Sequence, residues 1–285
     1  MRLWIAGIVG LLVIGGSALA QGVAPIGGPF QVNAYTTKQQ QQPQVAKDDQ
    51  GDFVVVWRSI GGYGTDLAGW SIQARRFEAN GQPKDVDFQV NSYTTSSQEN
   101  PTVATDDLGN FVVAWEGKYQ DDPTSSAPGI LAQRYDDSGT PVGDEFQVNS
   151  YTTYSQLAPS IGSDSDGNFV VAWSSYFPDG SQASVQAQRY DDSGTRVGNE
   201  FQVNSYTTSY QRRASVGFDQ DGDFVIAWES AGSYGSDTSH WSVQAQRFDS
   251  AGAMIGGEFQ VNSDTTSHQY RSVLAVNAAG DFGVG

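Results

Sequence analysis

Short apolar runs alternate with polar, glycine-rich turns along this chain, and the apolar runs recur. G-N-F-V-V-A-W at Gly167–Trp173 reappears in near-identical form at Gly51–Trp57, Gly109–Trp115 and Gly222–Trp228, and a fifth copy begins at Gly280. Alternation puts Phe169, Val171 and Trp173 on one face of a strand and Val170 and Ala172 on the other. Both faces are apolar, so the strand needs cover on both sides, unlike a strand in a half-solvated antiparallel sheet. The run is too short for a helix, is rich in β-branched and aromatic residues, and is bracketed by glycine and acids.

A second motif sets the period. F-Q-V-N begins at Phe30, Phe88, Phe146, Phe201 and Phe259, at intervals of 58, 58, 55 and 58 residues. A Thr-Thr pair follows each copy, and a glutamine stands three residues beyond it: Gln40, Gln98, Gln156, Gln211 and Gln269. Fixed spacing of this kind marks a repeat architecture. The third unit predicts four strands, at Ser160–Gly162, Asn168–Trp173, Val185–Tyr190 and Glu200–Asn204, with the turn Asp191–Gly194 joining the last two. Four-stranded units covered on both faces predict an all-β fold, a β-propeller of four-stranded antiparallel blades. A β-solenoid is the rival, but its rungs are usually shorter. Small residues at one position of the first strand, Ala46, Ala104, Gly162, Gly217 and Ala275, suit an innermost strand crowded round a centre.

The repeat domain spans 21–285. Its complete units are Gln40–Asn91, Gln98–Asn149, Gln156–Asn204 and Gln211–Asn262, with a partial unit at 269–285. A lone fourth strand, Phe30–Asn33, precedes them, and two strands follow near Ser272–Val276 and Asp281–Gly285. Either these ends join as a split fifth blade, or the chain is truncated from a longer array.

Met1–Ala20 reads as a signal peptide: Arg2, an apolar stretch, then Ala18-Leu19-Ala20, with cleavage before Gln21. A retained anchor is the alternative, although the apolar run is short for a span. Secretion, to the periplasm, cell surface or medium of a bacterium, is expected, with no membrane span after cleavage. Cysteine is absent, which excludes disulfides and thiol catalysis. A formal charge of −17 argues against nucleic-acid partners.

The motifs G-N-F-V-V-A-W, A-Q-R-Y-D-x-S-G and G-x-E-F-Q-V-N resemble tandem propeller-like repeats of large exported bacterial proteins, which often stand beside hemolysin-type calcium-binding regions. The resemblance covers Phe30–Gly285. It implies a propeller and says little of function. The glycine-rich nonapeptides of hemolysin-type calcium repeats are missing. The turns distantly resemble the aspartate boxes of sialidase-like propellers without reproducing them.

Strand order sends loops after the second and fourth strands to one face, and those after the first and third to the other. The second of these faces is acidic. Asp164 and Asp166 in one turn, and Asp219, Asp221 and Asp223 in another, are the candidate ligands for calcium, a hard cation that takes oxygen donors. The competing reading is a hairpin turn whose Asp accepts backbone N–H groups. The first face varies from unit to unit and carries Tyr63, Trp70, Tyr119, Tyr176, Phe177, Tyr234 and Trp241. Rings beside amides and acids suit a glycan, and variable loops on a constant scaffold are where ligands bind; the competing reading is that the rings pack the loops down. The repeated arginines Arg76, Arg134, Arg189 and Arg247 are expected to bridge blades through acids or aromatic rings. His240 and His268 join no nucleophile motif, and no two of the 32 acids stand out as a glycosidase pair. The expected function is therefore a non-enzymatic binding or adhesion module for a glycan or an extracellular protein, in an oligomeric state left open. A calcium-binding structural repeat and a glycan-cleaving propeller are the alternatives.

Overall fold

The computed structural model describes residues 4–5, 28–66, 69–117, 127–177, 182–232, 235, 237, 241–270 and 272–285. A two-stranded pair, β1 (Trp4–Ile5) and β2 (Phe30–Gln31), comes first. The first complete blade holds β3 (Gln40–Lys47), β4 (Phe53–Ile60), β5 (Trp70–Phe77) and β6 (Phe88–Gln89). The second holds β7 (Glu99–Thr105), β8 (Phe111–Gly117), β9 (Gly129–Tyr135) and β10 (Pro141–Gln147). The third holds β11 (Gln156–Ser163), β12 (Phe169–Ser175), β13 (Ser184–Tyr190) and β14 (Arg196–Gln202), and the fourth β15 (Gln211–Phe218), β16 (Phe224–Ala231), β17 (Trp241–Phe248) and β18 (Met254–Gln260). Half a blade closes the series, β19 (Leu274–Val276) with β20 (Phe282–Val284).

Each complete blade is an antiparallel meander in chain order. The first strands β3, β7, β11, β15 and β19 lie successively against one another, so they form the inner side of a propeller-like arrangement. The all-β, four-stranded reading of the sequence is what the molecule adopts. In the third blade the first and fourth strands start earlier than their motifs predict. The first begins at the repeated glutamine and the fourth reaches back through Arg196–Glu200, because a bulge in each keeps pairing alive where the apolar pattern stops. At the chain ends β2 pairs with β1, and among the described residues no ladder joins β2 to β20. Phe30 instead packs on Phe77 of the first blade, as each later F-Q-V-N phenylalanine packs on the blade after its own.

The core lies between blades. Val113, Trp115 and Leu131 of the second blade pack with Val54, Val56 and Ile72 of the first, and the same set recurs at the next two junctions. Each repeated tryptophan is at most 1% exposed. The indole N–H of Trp115, Trp173 and Trp228 donates to Oε1 of Gln98, Gln156 and Gln211, at 3.0, 2.9 and 3.1 Å. This is why glutamine recurs: a buried indole N–H needs an acceptor. The small residues of the first strand are required by the neighbouring blade. A Cβ on Gly217 would stand 2.6 Å from Val276 Cγ2, and one on Gly162 would stand 3.0 Å from Val216 Cγ1.

Arginines latch the outer strands. Arg189 donates to the carbonyls of Ala251 (2.5 Å) and Ser250 (2.6 Å) in the next blade's turn, and Arg134 does the same at Ser193 and Asp192. For Arg76, Arg134 and Arg189 the expected bridging between blades holds in direction, but the acceptors across the junction are backbone carbonyls, Asp137 O for Arg76; Arg76 adds an acid, Asp85 at 2.7 Å, on its own blade. A second latch runs backwards: Glu258 Oε2 accepts from Ser205 N and Oγ and from Tyr206 N in the preceding blade.

Candidate functional site

Four blades share a core, and one of the cross-strand positions at which they differ lies on the inner rim. There the residue after each repeated glutamine lies opposite the residue after each repeated tryptophan. The pairs are Gln41 with Arg58, Glu99 with Glu116, Leu157 with Ser174, and Arg212 with Glu229. The bulge follows at once. Gln42, Asn100, Ala158 and Arg213 all hold a left-handed backbone, with φ of 54°, 50°, 52° and 53°. Non-glycine residues adopt that conformation at a cost, and only where the surrounding structure holds them there. Here the bulged N–H groups dock on the preceding blade: Ala158 N donates to Glu116 Oε1 at 2.5 Å, and Arg213 N donates to Ser174 Oγ at 3.0 Å.

Glu99 and Glu116 place two carboxylates side by side on one face of the second blade. Glu116 is buried, and its Oε1 takes the Ala158 N–H and the Asn100 amide at 2.6 Å. Both of these contacts fall on Oε1. Burial pushes the Glu116 carboxyl above its ordinary range; the two N–H donors oppose the shift, Glu99 adds to it and Arg58 works against it. Glu99 is ion-paired with Arg58 of the first blade at 2.6 Å, and that guanidinium lies over the Trp70 ring, 4.3 Å from its centroid.

The fourth blade carries a second charged cluster. Glu229, fully buried, accepts from Arg212 Nε at 3.1 Å and faces Arg213 at 3.5 Å. Arg212 lies 3.9 Å over the Trp241 ring. From Trp241 a run of ring contacts crosses the loops: Tyr210 at 6.3 Å, Tyr176 beyond it, then Phe177 and Tyr154, with Tyr270 on the other side. The structure thus brings Tyr176, Phe177 and Trp241 into one strip. Trp70 stands apart at Arg58. Tyr63 is exposed in the 61–70 loop, and Tyr119 and Tyr234 lie outside the described residues. The sequence reading passed over Glu99, Glu116, Glu229, Arg212 and Tyr210. The available signal was divergence: the repeat is constant at its Trp and Gln and changes charge one residue later.

On the acidic face, Asp164 accepts from the N–H groups of Asp166 (3.0 Å) and Asn168 (2.9 Å), and Asp219 accepts from those of Asp221 and Asp223, both at 3.0 Å. Asp223 in turn accepts from Ser250 N at 2.9 Å. Asp164, Asp166 and Asp221 line one crevice of about 260 Å³ between the third and fourth blades, together with Arg189. Among the described residues no three acidic or histidine side chains gather as a metal-binding group.

No protein-family model and no curated protein matches this chain. Solved structures do. A protein of unknown function from Dyadobacter fermentans aligns over 86% of this chain and 74% of its own, at 14% identity and a TM-score of 0.58. The Hadza microbial sialidase Hz136 aligns over 83% of this chain and half of its own, at 15% identity and 0.54. The endo-arabinase of Bacteroides thetaiotaomicron aligns over 87% and 89%, at 14% identity and 0.50. At such identities the likeness is one of fold.

The comparison corrects two expectations. The structures that share this architecture include carbohydrate-active enzymes and not hemolysin-associated calcium repeats, so the resemblance drawn from the repeat motifs is set aside. The same finding stands against the expected non-enzymatic adhesion module, and against the expectation that weighed against an enzyme. Among the described residues no helix is long and apolar enough to cross a membrane.

Proposed function

We propose that this chain is a glycan-cleaving propeller that works outside the cell, with its reacting centre at Glu99 and Glu116. The observation that carries the reading is the pair itself: Glu99 and Glu116 are direct cross-strand partners at an inner-rim position where the blades diverge. Their surroundings differ in the way glycoside hydrolysis needs. One carboxyl must hold a proton, and the other must act as an anion. Burial favours the protonated form of Glu116, while Arg58 pairs with Glu99.

In this role Glu116 gives its proton to the glycosidic oxygen as the C–O bond breaks. Glu99 meets the positive charge that grows at the anomeric carbon. Water then adds to that carbon and its proton returns to a carboxylate, which restores the pair. Trp70, held by Arg58 beside Glu99, offers a ring face for the C–H side of a sugar. The apolar leader Met1–Ala20 supports export.

The test is a reducing-sugar assay over a panel of plant and host glycans, arabinans and sialosides included. Glu116→Gln keeps the shape and the Asn100 contact but cannot donate a proton. Its turnover is expected to fall by about 10²–10⁴, the usual weight of general acid catalysis. Full activity in Glu116→Gln, with the circular dichroism spectrum intact, removes the assignment.

A further inference from the structure

We infer that Arg212 and Arg213 form a subsite for the carboxylate of an acidic sugar, so that the glycan this propeller takes is a uronate-type polymer and not a neutral one. The inference rests on the reading of the chain as glycan-directed and adds the charge of its substrate.

Charge is the first ground. At the two rim positions the other complete blades carry Gln41 and Gln42, Glu99 and Asn100, and Leu157 and Ala158; the fourth carries two arginines in a row. A chain of net charge −17 has only 15 lysines and arginines, and it sets two of them side by side here. Among the described residues both arginines share the single carboxylate of Glu229, one negative charge set against two positive.

Geometry is the second ground. Glu229 is fully buried beneath the pair and has no surface with which to meet a ligand. What it does is hold the guanidinium groups: Arg212 through Nε at 3.1 Å, Arg213 through one amino group at 3.5 Å. The side chains remain 28% and 48% exposed, so donors are left over on the open side. A guanidinium fixed at one edge presents the rest of its fork to a carboxylate with little ordering left to do. Arg213 also sits on the left-handed bulge, at φ 53°. The third blade has alanine there, so the bulge itself does not ask for arginine.

Setting is the third ground. Arg212 lies against Trp241, whose neighbours are Tyr210 and Tyr270. A cation beside ring faces suits a ligand that is both anionic and carbohydrate, since rings stack on C–H surfaces while the arginines take the acid group. A free inorganic anion would have no use for the rings.

The experiment uses the full chain carrying Glu116→Gln, run by affinity electrophoresis through gels containing polygalacturonate, neutral galactan or dextran sulfate. Polygalacturonate is expected to retard it, with galactan weaker by roughly tenfold or more, as a charge-assisted contact implies. Adding Arg213→Asn places in the fourth blade the residue that the second blade already holds in this conformation, so folding is preserved. Retardation by polygalacturonate should then weaken by roughly tenfold, with the melting temperature unchanged. Equal retardation by galactan, equal retardation by dextran sulfate, or no effect of Arg213→Asn would each overturn the inference. Because the protein tested is not required to turn over, the outcomes separate. Cleavage of a neutral glycan that depends on Glu116, without polygalacturonate binding, sinks this inference alone. Binding without cleavage of any glycan sinks the catalytic reading alone.

Discussion

The hydrogen bond from Trp173 Nε1 to Gln156 Oε1 offers a direct measure of what holds a blade to its first strand. The donor and acceptor are 2.9 Å apart, and both side chains are fully buried. Trp173→Phe removes the donor and part of the ring, leaving Gln156 Oε1 without that partner in the core. Gln156→Leu does the reverse and strands the indole N–H. A buried polar group left without its partner costs about 1–3 kcal/mol, so each single variant carries that cost, and Trp173→Phe adds a cavity term. The double variant Trp173→Phe/Gln156→Leu has neither group to strand. It should be less destabilised than the sum of the two singles by about 1–2 kcal/mol, within the range seen for contacting pairs. Urea unfolding followed by far-ultraviolet circular dichroism, with slopes compared across all four proteins, reads this out. Additive costs, agreeing within about 0.5 kcal/mol, would mean that the recurrent glutamine is not the indole's partner in energetic terms.

Other outcomes follow from the same geometry. Gly194 has φ 81°, and a Cβ there would lie 2.8 Å from Arg134 Cδ, so Gly194→Ala should cost about 1–2 kcal/mol for the left-handed backbone and weaken the latch between the second and third blades, seen as a lower melting temperature. Gly143→Ala, also at positive φ but with open space round it, is the control that carries the backbone cost alone. Glu116 acts protonated and burial raises its pKa, so kcat/KM should fall as pH rises through that raised value. The ionised form is the costly one in the fold, so this residue's contribution to stability is also lost as pH climbs through the same value. If Asp164 and Asp219 serve as turn acceptors, a thermal melt should be the same with and without chelator; a calcium-dependent rise in midpoint would instead establish the cation site on the acidic face. A Trp70→Ala/Trp241→Ala variant should bind glycan more weakly, because the rings that flank Arg58 and Arg212 are removed; unchanged binding would exclude both from the sugar path.

What could be read from the chain alone is what a repeat makes redundant. Trp173, Gln156 and the F-Q-V-N phenylalanines recur because every junction between blades demands the same packing, so strand pattern, period and fold class follow from counting. The bulges were invisible, because a left-handed Ala158 or Arg213 looks like any other strand residue until the preceding blade claims its N–H. The arginines were legible as bridges but not their acceptors, since carbonyls carry no sequence signature. The reacting centre was hidden for the opposite reason to the core. Glu99 and Glu116 lie 17 positions apart, Glu116 recurs only as Glu229 of the fourth blade and Glu99 in no other complete blade, and only the antiparallel pairing of β7 with β8, laid against Arg58 of a different blade, turns two unremarkable acids into neighbours with unlike surroundings. Local pattern dictates the blade; the stacking of one blade on the next decides which charges meet, because that stacking joins residues no period connects.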